Sequence, residues 1–318
     1  MKLTAEAKPE QAPKFRRFLR ILWKQRFLQL MVWPGIIWMI IFNYIPMAGI
    51  QIAFRDFRIT RGIWAGDFIG FRHFIDFFTD DRFYQILTNT VGISLVNLIF
   101  GFPLPIIFAL LLNELAGSRF KRIVQTLSYL PHFLSWVIFG GLILTWLSTH
   151  GLLNNVLVSI GLLSDADRSA WLGNPNTIWL WVWFTNSWKT LGFSAIIYLA
   201  AISSVEQEMY EAATIDGATR FQKVRYITLP SITGTISILL ILTIANLLST
   251  NFDQLMIMGN VLNRSRSLVL DVHVYEIGLT LGRFSYATAV GLARSVTAAL
   301  LLVAANFAAK KILGRGLY

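Results

Sequence analysis

Apolar residues run in long blocks along this chain, separated by shorter polar stretches. Six blocks are long enough to cross a lipid bilayer as helices: Leu28–Ala53, Ile86–Leu112, Ile123–Leu147, Thr177–Ser203, Ser231–Leu248 and Tyr286–Ala309. A helical span needs about 20 mostly apolar residues, because the hydrocarbon layer is about 30 Å thick. The pattern predicts an all-α, polytopic membrane protein with six transmembrane helices, and it shows no fixed-period repeat and no low-complexity segment. The first block is no cleaved signal peptide, since its apolar run is too long and no small-residue cleavage site ends it. Ahead of it lies a basic leader, residues 1–27. Between Lys14 and Phe27 it places Phe15, Phe18, Leu22 and Phe27 at near-helical spacing. That pattern predicts an amphipathic helix lying on the membrane surface, with a plain solvated leader as the alternative.

Composition sharpens the picture. Of 318 residues 55% are hydrophobic and only 14% charged, against about 25% charged in soluble domains. Cysteine is absent, which excludes disulfides, thiolate metal sites and cysteine nucleophiles. The net charge of +11 raises the question of nucleic acid, and charge placement answers it. With the N-terminus inside and six alternating spans, 17 of the 28 Lys and Arg fall in inner segments and 9 in outer loops, leaving Lys189 and Arg294 within spans. Acidic residues divide 7 inside and 10 outside. The positive-inside rule then places both termini in the cytoplasm. The basic balance reports orientation in a bilayer, and a nucleic-acid partner loses its support.

Catalytic chemistry is missing. No Gly-x-x-x-x-Gly-Lys-[Ser/Thr] loop is present to cradle phosphates, since Lys189-Thr190 follows Trp188 rather than glycine. The histidines (His73, His132, His150, His273) are scattered without metal-ligand spacing, and His132 reads as a satisfied polar group in the bundle. No acidic residue falls within the six spans, so a carboxylate proton relay is lacking. The chain reads as neither an ATPase nor any other enzyme, binding no metal and no cofactor itself. Pro34, Pro46, Pro103, Pro105 and Pro131 sit within apolar stretches, where neighbouring groups must satisfy the carbonyls they free.

The decisive stretch is the longest inner loop, 203–230, which reads EQEMYEAATIDGATRFQKVRYITLP from Glu206. Two short helical pieces meet at Gly217, and Leu229-Pro230 opens the fifth span, a helix start being a place where proline's missing N–H is no loss. An ordinary amphipathic loop on the membrane is the bland alternative. The spacing Glu211-Ala212-Ala213, three residues, Gly217, nine residues, Ile227, one residue, Leu229-Pro230 resembles the EAA signature of ABC-importer permeases at every position. Gly151-x-x-Asn154-x-x-Leu157, Gly192-Phe193, Tyr198-Leu199-Ala200 and Phe252-Asp253-Gln254 resemble the sugar-importer branch. The Gly-Gly-Pro usual after the fifth span is replaced by Met258-Gly259-Asn260, as in the subgroup handling complex oligosaccharides.

The resemblance implies a type I importer permease of the bacterial inner membrane, with a five-helix core over 86–309 and the first transmembrane helix, 28–53, added. It implies a second related permease, two ATPase subunits that hold ATP and Mg, and an external solute-binding protein. Within the loop, Glu211, Ala212, Ala213, Asp216, Gly217, Leu229 and Pro230 become the ATPase-coupling set. Glu211 would pair with a basic group, the alanines would allow close packing, and Gly217 would form the bend. An exporter permease, a membrane scaffold and an intramembrane enzyme are the alternatives.

Two cations left in spans raise the question of cargo, because an isolated charge at membrane depth needs a partner. No span carboxylate is available to Lys189 or Arg294. Pairing with a partner permease, pairing with backbone carbonyls, and snorkelling are three readings. A fourth is a cavity biased toward anions, hence an oligosaccharide bearing uronate carboxylates, with Trp188 stacking on a sugar ring and Asn246 and Asn251 bonding its hydroxyls.

Overall fold

The computed structural model describes residues 23–64, 66–115 and 117–313; the basic leader up to Leu22 lies outside them. Among the described residues there are only helices, turns and one isolated antiparallel bridge, Arg55 with Phe68. In chain order the helices are α1 (Arg26–Phe54), α2 (Arg72–Phe78), α3 (Phe83–Glu114), α4 (Ser118–Phe133), α5 (Trp136–Trp146), α6 (Leu152–Ser159), α7 (Ile178–Ser203), α8 (Gln207–Ile215), α9 (Arg220–Ala245), α10 (Phe252–Met258), α11 (Arg264–Ser267), α12 (Leu270–Tyr275) and α13 (Phe284–Leu313). Four of them, α1, α3, α9 and α13, are long and apolar enough to span unbroken, and the bent pairs α4–α5 and α7–α8 bring the number to six. None of the α1 residues from Arg26 to Met47 is buried. Its apolar surface faces outward all round, as a helix bathed in lipid requires.

Proline placement explains three of the four π turns among the described residues; the fourth, Glu276–Thr280, has no proline after it. A proline lacks the N–H that would bond the carbonyl four residues back, and its ring crowds that carbonyl. Upstream of Pro46, Pro103 and Pro230 the helix widens to five-residue π turns, Ile40–Tyr44, Asn97–Gly101 and Val224–Thr228. Each π turn contains the carbonyl that the proline crowds. For Pro230 this corrects the expected helix start. The helix begins ten residues earlier at Arg220, capped by Thr219 and Gln222 in a reciprocal capping box, and Pro230 lies in its interior. The fifth span also ends at Ala245 rather than Leu248.

The third span is a second correction. Its apolar block is not one helix, because α4 and α5 meet at a 100° bend, at Leu134 and Ser135. Ser135 caps α5 by accepting from the Ile138 N–H. At the end of α4 the Pro131 carbonyl accepts from the Leu134 N–H (3.3 Å), the carbonyls after it lack intrahelical donors, and Lys189 of α7 reaches in to this group. Its Nζ donates to the carbonyls of Pro131 (3.1 Å), His132 (2.9 Å) and Leu134 (2.5 Å). A cation at a helix C-terminus also meets the negative end of the helix dipole.

α7 is the central post, packed on α3, α4 and α9. At Gly192 the α4 backbone comes so close that a Cβ would sit 2.4 Å from the Ser128 carbonyl oxygen. One turn away the His132 ring stacks on Phe193 at 3.9 Å, while its Nδ1 is buried without a hydrogen-bond partner, so the expectation of a satisfied histidine is not met. Two apolar cores flank this post. One joins Ile86, Ile93, Phe139, Ile178, Val182 and Met258, and the other joins Ala109, Ala195, Tyr198, Ile202 and Ile232. Beyond α9 the chain folds back over α3 and α7. Gln254 donates to the Val182 carbonyl and Thr185 Oγ1 (2.8 and 2.9 Å), Asn89 donates to the Ser265 and Leu268 carbonyls, and Thr90 Oγ1 accepts from the Leu270 N–H.

Two substitutions test the α4–α7 contact. Gly192→Ala puts a methyl against immovable backbone and should cost about 1–3 kcal/mol, seen as a lower melting temperature in detergent. Lys189→Met takes their donor from the part-buried His132 and Leu134 carbonyls and should cost a similar amount, about 1–3 kcal/mol, with faster amide exchange concentrated at the α4–α5 bend. Unchanged exchange there would show that Lys189 is not what holds the bend.

Candidate functional site

The loop between α8 and α9, expected from its sequence to be the coupling loop, is built from local signals. α8 ends in a Schellman motif: the Gly217 N–H bonds the Thr214 carbonyl (3.1 Å) and the Ala218 N–H bonds the Ala213 carbonyl (2.8 Å). Gly217 carries the left-handed conformation this motif requires, φ +77°. One residue later Thr219 starts the capping box of α9. Side chains then tie the two helices together. Tyr210 Oη lies 2.9 Å from Thr228 Oγ1, Lys223 Nζ donates to Thr214 Oγ1 at 2.6 Å, and Thr228 is buried. Glu211, Ala212, Asp216, Gly217 and Pro230 are exposed, and Ala213 and Leu229 half-buried. Large apolar side chains stand out beside the acidic ones, Ile215 at 88% and Phe221 at 71% exposure. A loop so braced from within, yet presenting apolar side chains outward, has the form of a contact surface.

A polar furrow runs along the other part of the bundle, between α3, α7 and the last turns of α9. Two adjoining cavities of about 490 and 390 Å³ share Asn97, Asn186, Leu239 and Thr243. Ser94, Ser187, Thr190, Ser194, Asn246, Thr250 and Asn251 add further hydroxyl and amide groups. Asn97 opens the π turn of α3, and its Oδ1 accepts from Asn186 Nδ2 at 3.3 Å. The lining is neutral throughout. Asn246 donates to the Leu242 carbonyl, and Asn251 caps α10 by accepting from the Gln254 N–H, so each amide keeps hydrogen-bonding capacity to spare.

The structure divides the five residues chosen from the sequence. Asn246 and Asn251 lie together on the furrow. Trp188 lies elsewhere, packed on Trp146, Phe139 and Phe184 in a wholly apolar hollow, with no polar group placed to orient a sugar against it. Lys189 is 5% exposed and committed to the α4 carbonyls, which is the pairing with backbone carbonyls and not a cation facing a cavity. Trp136 and Phe139 cover it at 5.6 and 5.8 Å. Arg294 is not without a carboxylate after all. It forms an ion pair with Asp271 and donates to Ser249 Oγ; Asp271 lies outside the apolar blocks, on α12, and is carried to membrane depth by the fold-back.

Asn97, Asn186 and Thr243 were missed. Their signal was an amide or hydroxyl inside an apolar block, but three such residues on three helices share no spacing. Asn154, part of a motif noted above, proves to be a strut: its Nδ2 donates to the Ser148, Thr149 and Ser169 carbonyls and its Oδ1 accepts from Trp171 Nε1.

Comparison with known proteins agrees with this geometry. Residues 101–312 match the family model described as "Binding-protein-dependent transport system inner membrane component". The polygalacturonan/rhamnogalacturonan transport system permease protein YteP of Bacillus subtilis (strain 168) is 40% identical over 312 residues, covering 96% of this chain and 94% of its own. A bacterial alginate ABC transporter, solved in complex with an alginate pentasaccharide-bound periplasmic protein, contains a chain with a TM-score of 0.86 and 36% identity, covering 95% of this chain and 100% of that one. A structure of a bacterial ABC transporter involved in the import of the acidic polysaccharide alginate aligns with a TM-score of 0.84 and 37% identity, over 93% and 99% of the two chains.

Proposed function

The chain belongs to the family of binding-protein-dependent transport system inner membrane components, and from that premise we propose that it forms half of the pore of an ATP-driven importer of acidic oligosaccharides. The observation that carries this is the furrow, where amide and hydroxyl groups from three helices converge at membrane depth. Sugar hydroxyls both donate and accept, so a neutral wall of Asn, Ser and Thr exchanges hydrogen bonds with them as they pass and holds none permanently. The furrow lies open on one side, and a second, related permease closes it. The substrates named for the relatives, polygalacturonan or rhamnogalacturonan and alginate, support a uronate-bearing chain as the cargo. The periplasmic protein in the alginate complex supports delivery by an external binding protein.

Energy comes from two ATPase subunits that hold ATP and Mg and dock on the α8–α9 loop. Glu211 pairs with a basic group there, Ala212 and Ala213 allow close approach, and Ile215 and Phe221 are buried in the contact. Asp216 and Gly217 set the angle of the bend, and Leu229 and Pro230 begin the intramembrane part of α9. Because Tyr210 and Thr214 grip Thr228 and Lys223, a displacement of α8 moves α9 with it. The loop and both termini face the cytoplasm of a bacterial inner membrane.

The function is tested by assembling the chain with a partner permease, ATPases and binding protein in proteoliposomes and measuring ATP-dependent uptake of galacturonate or alginate oligosaccharides; no uptake of any oligosaccharide would refute it. In that assembly Glu211→Ala should abolish uptake and substrate-stimulated ATP hydrolysis while the protein still inserts, since removing one partner of a desolvated charged contact costs about 2–5 kcal/mol. Gly217→Pro should do the same, because its φ of +77° is closed to proline. Orientation is read from reporter fusions: after Tyr318 and near Gly217 the reporter should be cytoplasmic, and near Asp165 external.

A further inference from the structure

Arg294 differs from Lys189 in being only partly enclosed. It stands ten residues into α13, about 15 Å along the helix from Phe284. One face of the guanidinium meets Asp271 and Ser249. Its side chain nevertheless keeps 31% exposure, against 12% for Asp271, and it lines a cavity of about 790 Å³ together with Asn246, Ser249, Thr288 and Ser295. Asn246 and Ser249 also belong to the furrow, so this cavity and the furrow share a wall. The carboxylate is held from behind, where its second oxygen accepts from the Thr250 N–H (2.9 Å) and Thr250 Oγ1 (3.2 Å). Thr250 too lines the furrow.

A guanidinium has five N–H donors in a planar fork that suits carboxylates. Two of the five serve Asp271 and Ser249, which leaves three for a ligand on a side chain that is 31% exposed and lines the cavity. The furrow itself is neutral and offers a uronate nothing but dipoles. We propose that Arg294 is the specificity-determining cation of this half-pore: it reads the carboxylates of a passing uronate chain, trading them against Asp271. Asp271 serves two ends. In the empty pore it keeps the guanidinium from standing unpaired at membrane depth, which is strongly unfavourable. With sugar present it competes for the same donors, so each carboxylate is held weakly enough to move on, as conduction through successive sites demands. This inference rests on the acidic-oligosaccharide reading above.

The test is uptake by the complete reconstituted transporter, with binding protein saturating, of neutral and uronate oligosaccharides of equal length. Wild type is compared with Arg294→Gln, Asp271→Asn and the charge-neutral double variant, each first checked for a monodisperse assembly. The double variant removes both charges together and so keeps the test alive if a single substitution prevents folding. In Arg294→Gln and the double variant the ratio of maximal uronate to neutral uptake should fall about tenfold or more. In Asp271→Asn uronate should be retained longer and its turnover slowed relative to the neutral sugar. Equal loss of both sugars in all three variants would make the ion pair a structural clamp and overturn the proposal. Unchanged uronate uptake in Arg294→Gln would overturn it while leaving the acidic cargo intact. A wild type that moves only the neutral sugar would overturn both.

Discussion

No water stands ready inside a bilayer to bond a carbonyl that its own helix has released, and this constraint orders the architecture. An unmet backbone group in an apolar medium costs several kcal/mol, roughly as much as a whole helix cap contributes several times over. The chain nevertheless interrupts its helices repeatedly. Where proline causes the interruption, the turn before it widens, and the π turns ahead of Pro46, Pro103 and Pro230 are the result. Where the helix stops outright, as between α4 and α5, a side chain from another helix must reach in. Lys189 does so with three hydrogen bonds, and Gly192 lets α4 come close enough for it.

The two intramembrane cations show how partner chemistry separates a structural charge from an available one. Backbone carbonyls are fixed, numerous and neutral, and they surround the Lys189 ammonium until 5% of the residue is left exposed. A carboxylate engages only one edge of the Arg294 guanidinium, and the side chain keeps 31% exposure beside a cavity. Lysine suits the first setting because a compact ammonium can direct its three donors independently, whereas arginine's rigid fork suits the second. Both residues present the same anomaly in the sequence, a positive charge in an apolar block. Their surroundings then separate them, one enclosed and the other partly open.

Legibility followed the range of the interactions involved. The six apolar blocks were readable because lipid imposes its requirement on each segment separately, and α1, α3, α9 and α13 span much as expected. The break at Gly217 was readable because its chemistry is local, a glycine in a Schellman turn; the capping box of Thr219 and Gln222 that starts α9 just after it was equally local and was passed over in favour of Pro230. The bend at Leu134 and Ser135 was not, since its stabilising partner is 55 residues away at Lys189 and no helical period records that contact. Asp271 escaped for a related reason, because the ten-odd residues of α10 and α11 that return it to the membrane look from hydropathy alone like a loop. The furrow is least legible of all, for Asn97, Asn186 and Thr243 acquire meaning only when three helices meet.

These ranges also explain how a signal could cross the molecule. α9 is a single run of 26 residues from Arg220 to Ala245, about 39 Å long at the usual helical rise. One end is bonded to α8 through Thr228 and Lys223; just past the other end stand Asn246, Ser249 and Thr250 in the furrow wall. Between them the helix contains no break, only the widened turn at Val224–Thr228, so a push at the loop has little slack in which to be lost. At the far end the rod is not free either, because Ser249 and Thr250 are held by Arg294 and Asp271. On the proposed function, movement of α9 therefore strains the ion pair and the furrow wall together, and the site that reads the cargo is the site that the energy source moves.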